Sequence, residues 1–185
     1  PIGASIGMNP RLSRMLQPLI QILSSFPANF VFPLATLVFI AWGIDINWGS
    51  ILLMALGAQW YILFNVIAGA NSIPSDLVEM TRNLGVTGFL RWRTLILPSV
   101  FGTWCEGGIT AAGGAWNASI VSEVVSYGGH TLVARGLGSY ITQATESGET
   151  ARVVIGVAVM SAIVVIVNRV FWSPLQRLAS RRFSL

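Results

Sequence analysis

Long apolar runs alternate with short polar breaks along this chain, and the lengths of the runs set the expected architecture. Four stretches reach the roughly 20 apolar residues that cross a bilayer. They run from about Phe26 to Ile44, Gly49 to Ala70, Leu95 to Val125 and Val153 to Trp172. A shorter amphipathic piece, Leu12 to Ser25, reads as a helix before the first of them. Pro1 to Met8 reads as the tail of an earlier helix. The chain is therefore expected to be the C-terminal part of a longer polypeptide that has at least one more N-terminal span. No internal repeat or low-complexity segment interrupts it, so a single membrane domain over residues 1–185 is expected.

One polar insertion, between the second and third runs, is itself helical in pattern. Ile73-Pro74-Ser75-Asp76 is a helix-start signal, with Pro74 suited to the first turn and Ser75 or Asp76 able to cap free amides. Asp76 and Glu79 favour the positive helix end. Leu77, Met80 and Leu84 recur as one apolar stripe. Gly85 is placed to end the helix in a left-handed conformation. Thr87 or Gly88 then begins a second short helix, Phe89 to Thr94, and Pro98 falls in the first turns of the third span. Taken alone, such a hairpin could simply be an interfacial connection between two spans.

Its spacing says more. Glu79-Met80-Thr81 is followed by three residues, Gly85, nine residues, and Leu95-Ile96-Leu97-Pro98. This resembles the cytoplasmic Glu-Ala-Ala loop of ABC importer permeases, whose pattern is Glu-Ala-Ala, three residues, Gly, nine residues, Ile-x-Leu-Pro. Glu79, Gly85, Leu97 and Pro98 match by identity; Met80 and Thr81 replace the alanines and Leu95 the isoleucine. Further likeness lies in Gln17-Pro18-Leu19, Pro27 and Pro33, Gly57 to Gly69, Ile120 to Val125 with Glu123, and the arginine-rich C-terminus. These look like the permeases for nitrate, sulfonates, taurine and bicarbonate. The resemblance implies an all-α membrane protein of the type I ABC importer permease fold, with about four transmembrane helices and a coupling hairpin over residues 74–94. It implies that the hairpin docks in a cleft of an ATP-binding subunit. Asp76, Glu79, Met80, Arg82, Asn83, Gly85, Arg91, Leu97 and Pro98 are the expected coupling residues. Gly85 would let the corner approach its partner closely, and the exposed charges Asp76, Glu79, Arg82 and Arg91 would set register. Expected partners are that ATPase, a second permease subunit, an extracytoplasmic solute-binding protein and membrane lipid. ATP is used by the partner, and this chain is expected to bind no cofactor or metal itself.

Composition and charge agree with a membrane setting. Apolar residues make up 54% and charged ones 10%, against roughly 25% charged in soluble domains. There is no lysine, and the positive charge comes from arginine alone. The high pI therefore points to a cytoplasmic leaflet and not to nucleic acid. With the Glu79 loop inside, nine arginines lie on that side and two, Arg135 and Arg152, outside. The expected location is the bacterial plasma membrane, multi-pass, with a cytoplasmic C-terminus. The outer connections are then a turn at Asp45-Ile46-Asn47 and a segment from Ser126 to Arg152 that contains His130. Cys105 stands alone, so no disulfide framework exists.

Polar residues within the spans mark a candidate pathway: Gln59, Asn65, Glu106, Asn117 and Glu123. Gln59, Asn65 and Asn117 could equally hydrogen-bond neighbouring helices. Glu106 lies eight residues past Pro98, roughly 12 Å deep at the helical rise, and needs a partner, a cavity or a proton. Glu123 lies near the outer end of its span, where it could reach water. Gly107, Gly108, Gly113 and Gly114 allow either close packing or a sliding helix. No Ser/His/Asp set, metal cluster or phosphate-binding loop is present, and His130 reads as a solvated turn residue. A secondary transporter using Glu106 as an ion or proton site is the rival to an ATP-driven one, and a non-transporting scaffold a third reading. Arginine would be a natural anion ligand, yet none is expected deep in a span, so the solute stays unnamed beyond a small oxyanion or sulfonate suggested by the resemblance.

Overall fold

Helix dominates the chain, in the order its apolar runs suggest. The computed structural model describes residues 1–127 and 129–183, and of Tyr127 and His130 the backbone alone. The first helices are α1 (Ile2–Met8) and α2 (Pro10–Ser25), followed by a 3-10 turn at Ala28–Phe30. Next come α3 (Phe32–Trp42), α4 (Ile46–Asn71), α5 (Ser75–Asn83) and α6 (Gly88–Arg91). A π-helical segment, Trp92–Ile96, leads directly into α7 (Leu97–Ser122). Strands β1 (Val124–Tyr127) and β2 (His130–Val133) precede α8 (Leu137–Glu146) and α9 (Thr150–Val167). A second π segment, Asn168–Trp172, joins α9 to α10 (Ser173–Arg182).

Several boundaries differ from the hydropathy pattern. The expected first span, 26–44, is only the 11-residue α3, about 16 Å of helix. Pro27 and Pro33 lack amide donors, so α3 starts only after the 3-10 turn, and Gly43 at φ 65° closes it. Asp45 then caps α4, accepting from the Asn47 amide at 2.7 Å. The third run ends as helix at Ser122, not Val125, because Val124 and Val125 pair with Val133 and Leu132 in an antiparallel hairpin. That hairpin is the departure from an all-helical chain. His130 lies on β2 by its backbone; its side chain, expected to be solvated, lies outside the described residues. Among the described residues two helices are long and apolar enough to cross a membrane: α4, and the 33-residue run Thr150–Arg182. α7 is as long as α4 at 26 residues, but Glu106, Asn117 and several glycines dilute its apolar character.

The chain divides into two units, Pro1–Leu23 with Trp60–Thr110 and Arg169–Leu185, and Ser24–Gln59 with Ala111–Asn168. In the first, Ala4, Val66, Ala70, Ile96 and Val100 form a core with Trp92 against it. Ile6, Ile20 and Ile67 form a second cluster. Gly107 lets α7 press on α4: a Cβ there would lie 2.9 Å from the Ile62 Cα and the Asn65 Cβ. In the second unit, Phe32, Phe39, Leu53 and Val125 form the core, so β1 packs on α3.

Candidate functional site: the glycine corner and the polar cleft

The polar loop folds as a helix, a corner and a second helix. α5 starts after Pro74 without a side-chain cap; Ser75 Oγ instead donates to Asp76 Oδ1 at 3.3 Å. The expected capping by Ser75 or Asp76 is therefore not formed. The Pro74 carbonyl accepts from the Leu77 and Val78 amides. The other end is tightly specified. The Val86 amide donates to the Thr81 carbonyl at 2.8 Å and the Gly85 amide to the Arg82 carbonyl at 3.1 Å. Together these make a Schellman motif, which needs a left-handed residue at Gly85, and φ there is 67°. A side chain at Gly85 would meet nothing within 4 Å, so the corner presents its backbone outward.

The second arm is not a separate surface helix. α6, the π segment and α7 run on as one helix. Pro98 cannot donate to the ladder, and the wider π turn directly precedes it. Leu77, Met80, Thr81 and Leu84 from the first arm share a groove of about 430 Å³ with Leu90, Leu95 and Pro98 from the second. Asp76, Glu79, Arg82 and Asn83 are exposed. So are Met80, Leu84, Phe89 and Leu97, with Leu84 at 70% and Phe89 at 80%. Arg91 departs from the expectation of full exposure: it is half-buried, and its Nε is buried with no hydrogen-bond partner among the described residues.

The pathway candidates fall into different settings. Gln59 and Asn65 donate to carbonyls of their own helix, Leu56 at 3.3 Å and Tyr61 at 2.8 Å. Asn117 is exposed. Glu123 does not reach water. It is 8% exposed, and its Oε2 accepts from the Ser139 amide at 2.8 Å, in the first turn of α8. The expectation of a solvated carboxylate is corrected: the buried anion satisfies an orphan amide at a positive helix end. Gly136, just before α8, leaves the space the carboxylate fills.

Glu106 lines a cleft of about 540 Å³ with Gly102 of α7, Ser173, Gln176, Arg177, Ala179 and Ser180 of α10, and Phe183. Trp172 occupies the space beside Gly108, tilted at 53° against Trp104 with centroids 6.2 Å apart. Phe183 meets Phe101 edge-on at 5.2 Å. These aromatic contacts hold the cleft's two walls together. Sequence reading missed the α10 side of this cleft, treating its arginines as cytoplasmic charge alone. The signal was there: Ser173, Gln176, Arg177 and Ser180 stand at i, i+3, i+4 and i+7, one polar stripe on a helix.

The chain belongs to the family of binding-protein-dependent transport system inner membrane components, whose pattern it matches over residues 1–184. Among relatives it is 29% identical over 147 residues to the nitrate import permease protein NrtB of Synechococcus elongatus, covering 80% of this chain and 49% of that one. It is 28% identical over 176 residues to the bicarbonate transport system permease protein CmpB of the same organism, covering 95% and 60%. The taurine transport system permease protein TauC of Escherichia coli is 25% identical over 163 residues, covering 88% and 56%. The chain thus spans about half to three-fifths of the length of these relatives.

Proposed function

We propose that this chain is a membrane-spanning permease subunit of an ATP-driven importer, coupled to its ATPase through residues 74–98. The observation that carries this reading is the corner itself. Gly85 offers bare backbone outward, beside exposed Leu84 and Phe89 and the charges of Asp76, Glu79 and Arg82. A loop with no docking role would gain nothing from exposing two large apolar side chains around a tightly specified turn. ATP is bound and hydrolysed by the partner. A second permease subunit completes the pathway, and an extracytoplasmic binding protein delivers the solute. Permeases for nitrate, bicarbonate and taurine among the relatives support a small oxyanion or sulfonate.

The test is capture of the ATPase. The full-length permease, co-expressed with ATP-binding subunits from its own genome, should retain one of them through purification. Retention of none, by a permease that inserts normally, would remove the coupling reading and leave the secondary transporter with Glu106 as its ion site.

Orientation gives an independent check. The arginine asymmetry supports a cytoplasmic side for Arg91, Arg181 and Arg182. Single cysteines at Ser180 and Ser147, both exposed positions, should therefore react with a membrane-impermeant maleimide from opposite sides. Labelling of both from one side would contradict the topology.

A further inference from the structure

The cleft between α7 and α10 contains one carboxylate and one guanidinium, Glu106 and Arg177, and they are not paired with each other. Among the described residues the ion pair within 4.0 Å is Glu149 with Arg152 on α9's first turn. Glu106 is exposed to the cleft, and so is Arg177. Gln176, Ser173 and Ser180 line the same cleft, and the Ser180 hydroxyl donates to the Arg177 carbonyl at 3.1 Å and keeps its lone pairs for another donor. Gly102, Ala179 and Phe183 supply the small and apolar part of the lining. At about 540 Å³ the space lies in the range of small-molecule sites, about 300–1,000 Å³, and is far larger than a bare inorganic anion needs.

We propose that this cleft binds a small zwitterion, its cationic group taken by Glu106 and its anionic group by Arg177. The proposal rests on the reading of the chain as a solute permease and narrows its solute. Electrostatics select the class. A simple oxyanion would gain from Arg177 and be repelled by Glu106, and a simple cation the reverse, because both charges line the same cleft. A dipolar solute meets both charges at once. Arg177 suits the anionic end, since its planar fork matches the oxygens of a carboxylate, sulfonate or phosphonate. Gln176 and Ser180 then take the remaining polar atoms.

The experiment uses three probes of matched length: 3-aminopropanesulfonate, propanesulfonate and propylammonium. Each is titrated calorimetrically into the full-length permease in lipid nanodiscs without ATP, so the result stands apart from whether an ATPase is captured. The zwitterion should bind at least about tenfold more tightly than either singly charged probe. Glu106→Gln should weaken the zwitterion about tenfold and strengthen propanesulfonate; Arg177→Gln should weaken both sulfonates and spare propylammonium. Both changes are close in shape, and unchanged elution on size exclusion reports that the fold survives. Equal affinity for zwitterion and propanesulfonate in the wild type would overturn the proposal. So would no effect of Glu106→Gln on the zwitterion, or no binding of it below about 1 mM.

Discussion

Gly85→Glu is expected to abolish ATP-driven uptake, by tenfold or more, while the permease still inserts and folds. The left-handed backbone at residue 85 (φ 67°) costs any L side chain about 1–2 kcal/mol. No neighbouring atom opposes a side chain there, so that strain is the whole intramolecular penalty. A glutamate would instead project into the space where a partner must close on the corner. Gly85→Ala separates the two effects, because it carries the same backbone strain with almost no bulk. Uptake into proteoliposomes and ATPase co-purification, measured on both variants, decide the matter. Loss in the glutamate variant with near-normal alanine behaviour assigns the effect to docking. Equal loss in both assigns it to the turn, and normal transport by Gly85→Glu would sink the coupling role.

The second large effect concerns the pocket around Glu123. Gly136→Val is expected to destabilise the protein by about 3 kcal/mol, because its side chain would displace a buried carboxylate from the Ser139 amide. Glu123→Leu should cost about 2 kcal/mol by stranding the Ser139 amide. Glu123→Gln keeps an acceptor and loses only the charge at the helix end, about 1 kcal/mol. Thermal unfolding in detergent, with limited proteolysis around α8, should return that order. A Glu123→Gln protein of normal stability that fails to transport would instead return Glu123 to the solute pathway.

The two carboxylates show what can be read from sequence and what cannot. The length of its apolar run placed α4 within a few residues, because no charged residue falls within it and its ends are marked by Asp45 and Asn71. The corner was legible for the same kind of reason: a glycine after an apolar stripe is local chemistry. Glu123 was misread because its burial depends on Gly136 and Ser139, which come 13 and 16 residues later in the chain. The hairpin that brings them back is two short strands with no strong alternation. Arg177 was passed over because a basic C-terminus has an immediate explanation in membrane charge, and its helix face becomes meaningful only opposite Glu106. The shortness of α3 was visible in Pro27, Pro33 and Gly43, but apolarity alone outweighed them in the reading of a span.

The two π segments share an arrangement: Trp92–Ile96 ends two residues before Pro98, and Asn168–Trp172 ends two residues before Pro174. Each turn holds one residue more than an α turn, which shifts the angular phase of everything that follows by about 100°. In α10 that phase decides which of its residues form the wall of the cleft. Straightening this turn into ordinary α winding without removing a residue would swing the stripe of Ser173, Gln176, Arg177 and Ser180 around the helix axis by the same angle and turn it away from Glu106. Deleting Val170 as well would cancel that swing, because the π turn absorbs the one extra residue. The chemistry of this wall is therefore written in the winding of the turn before it as much as in the identities of its residues.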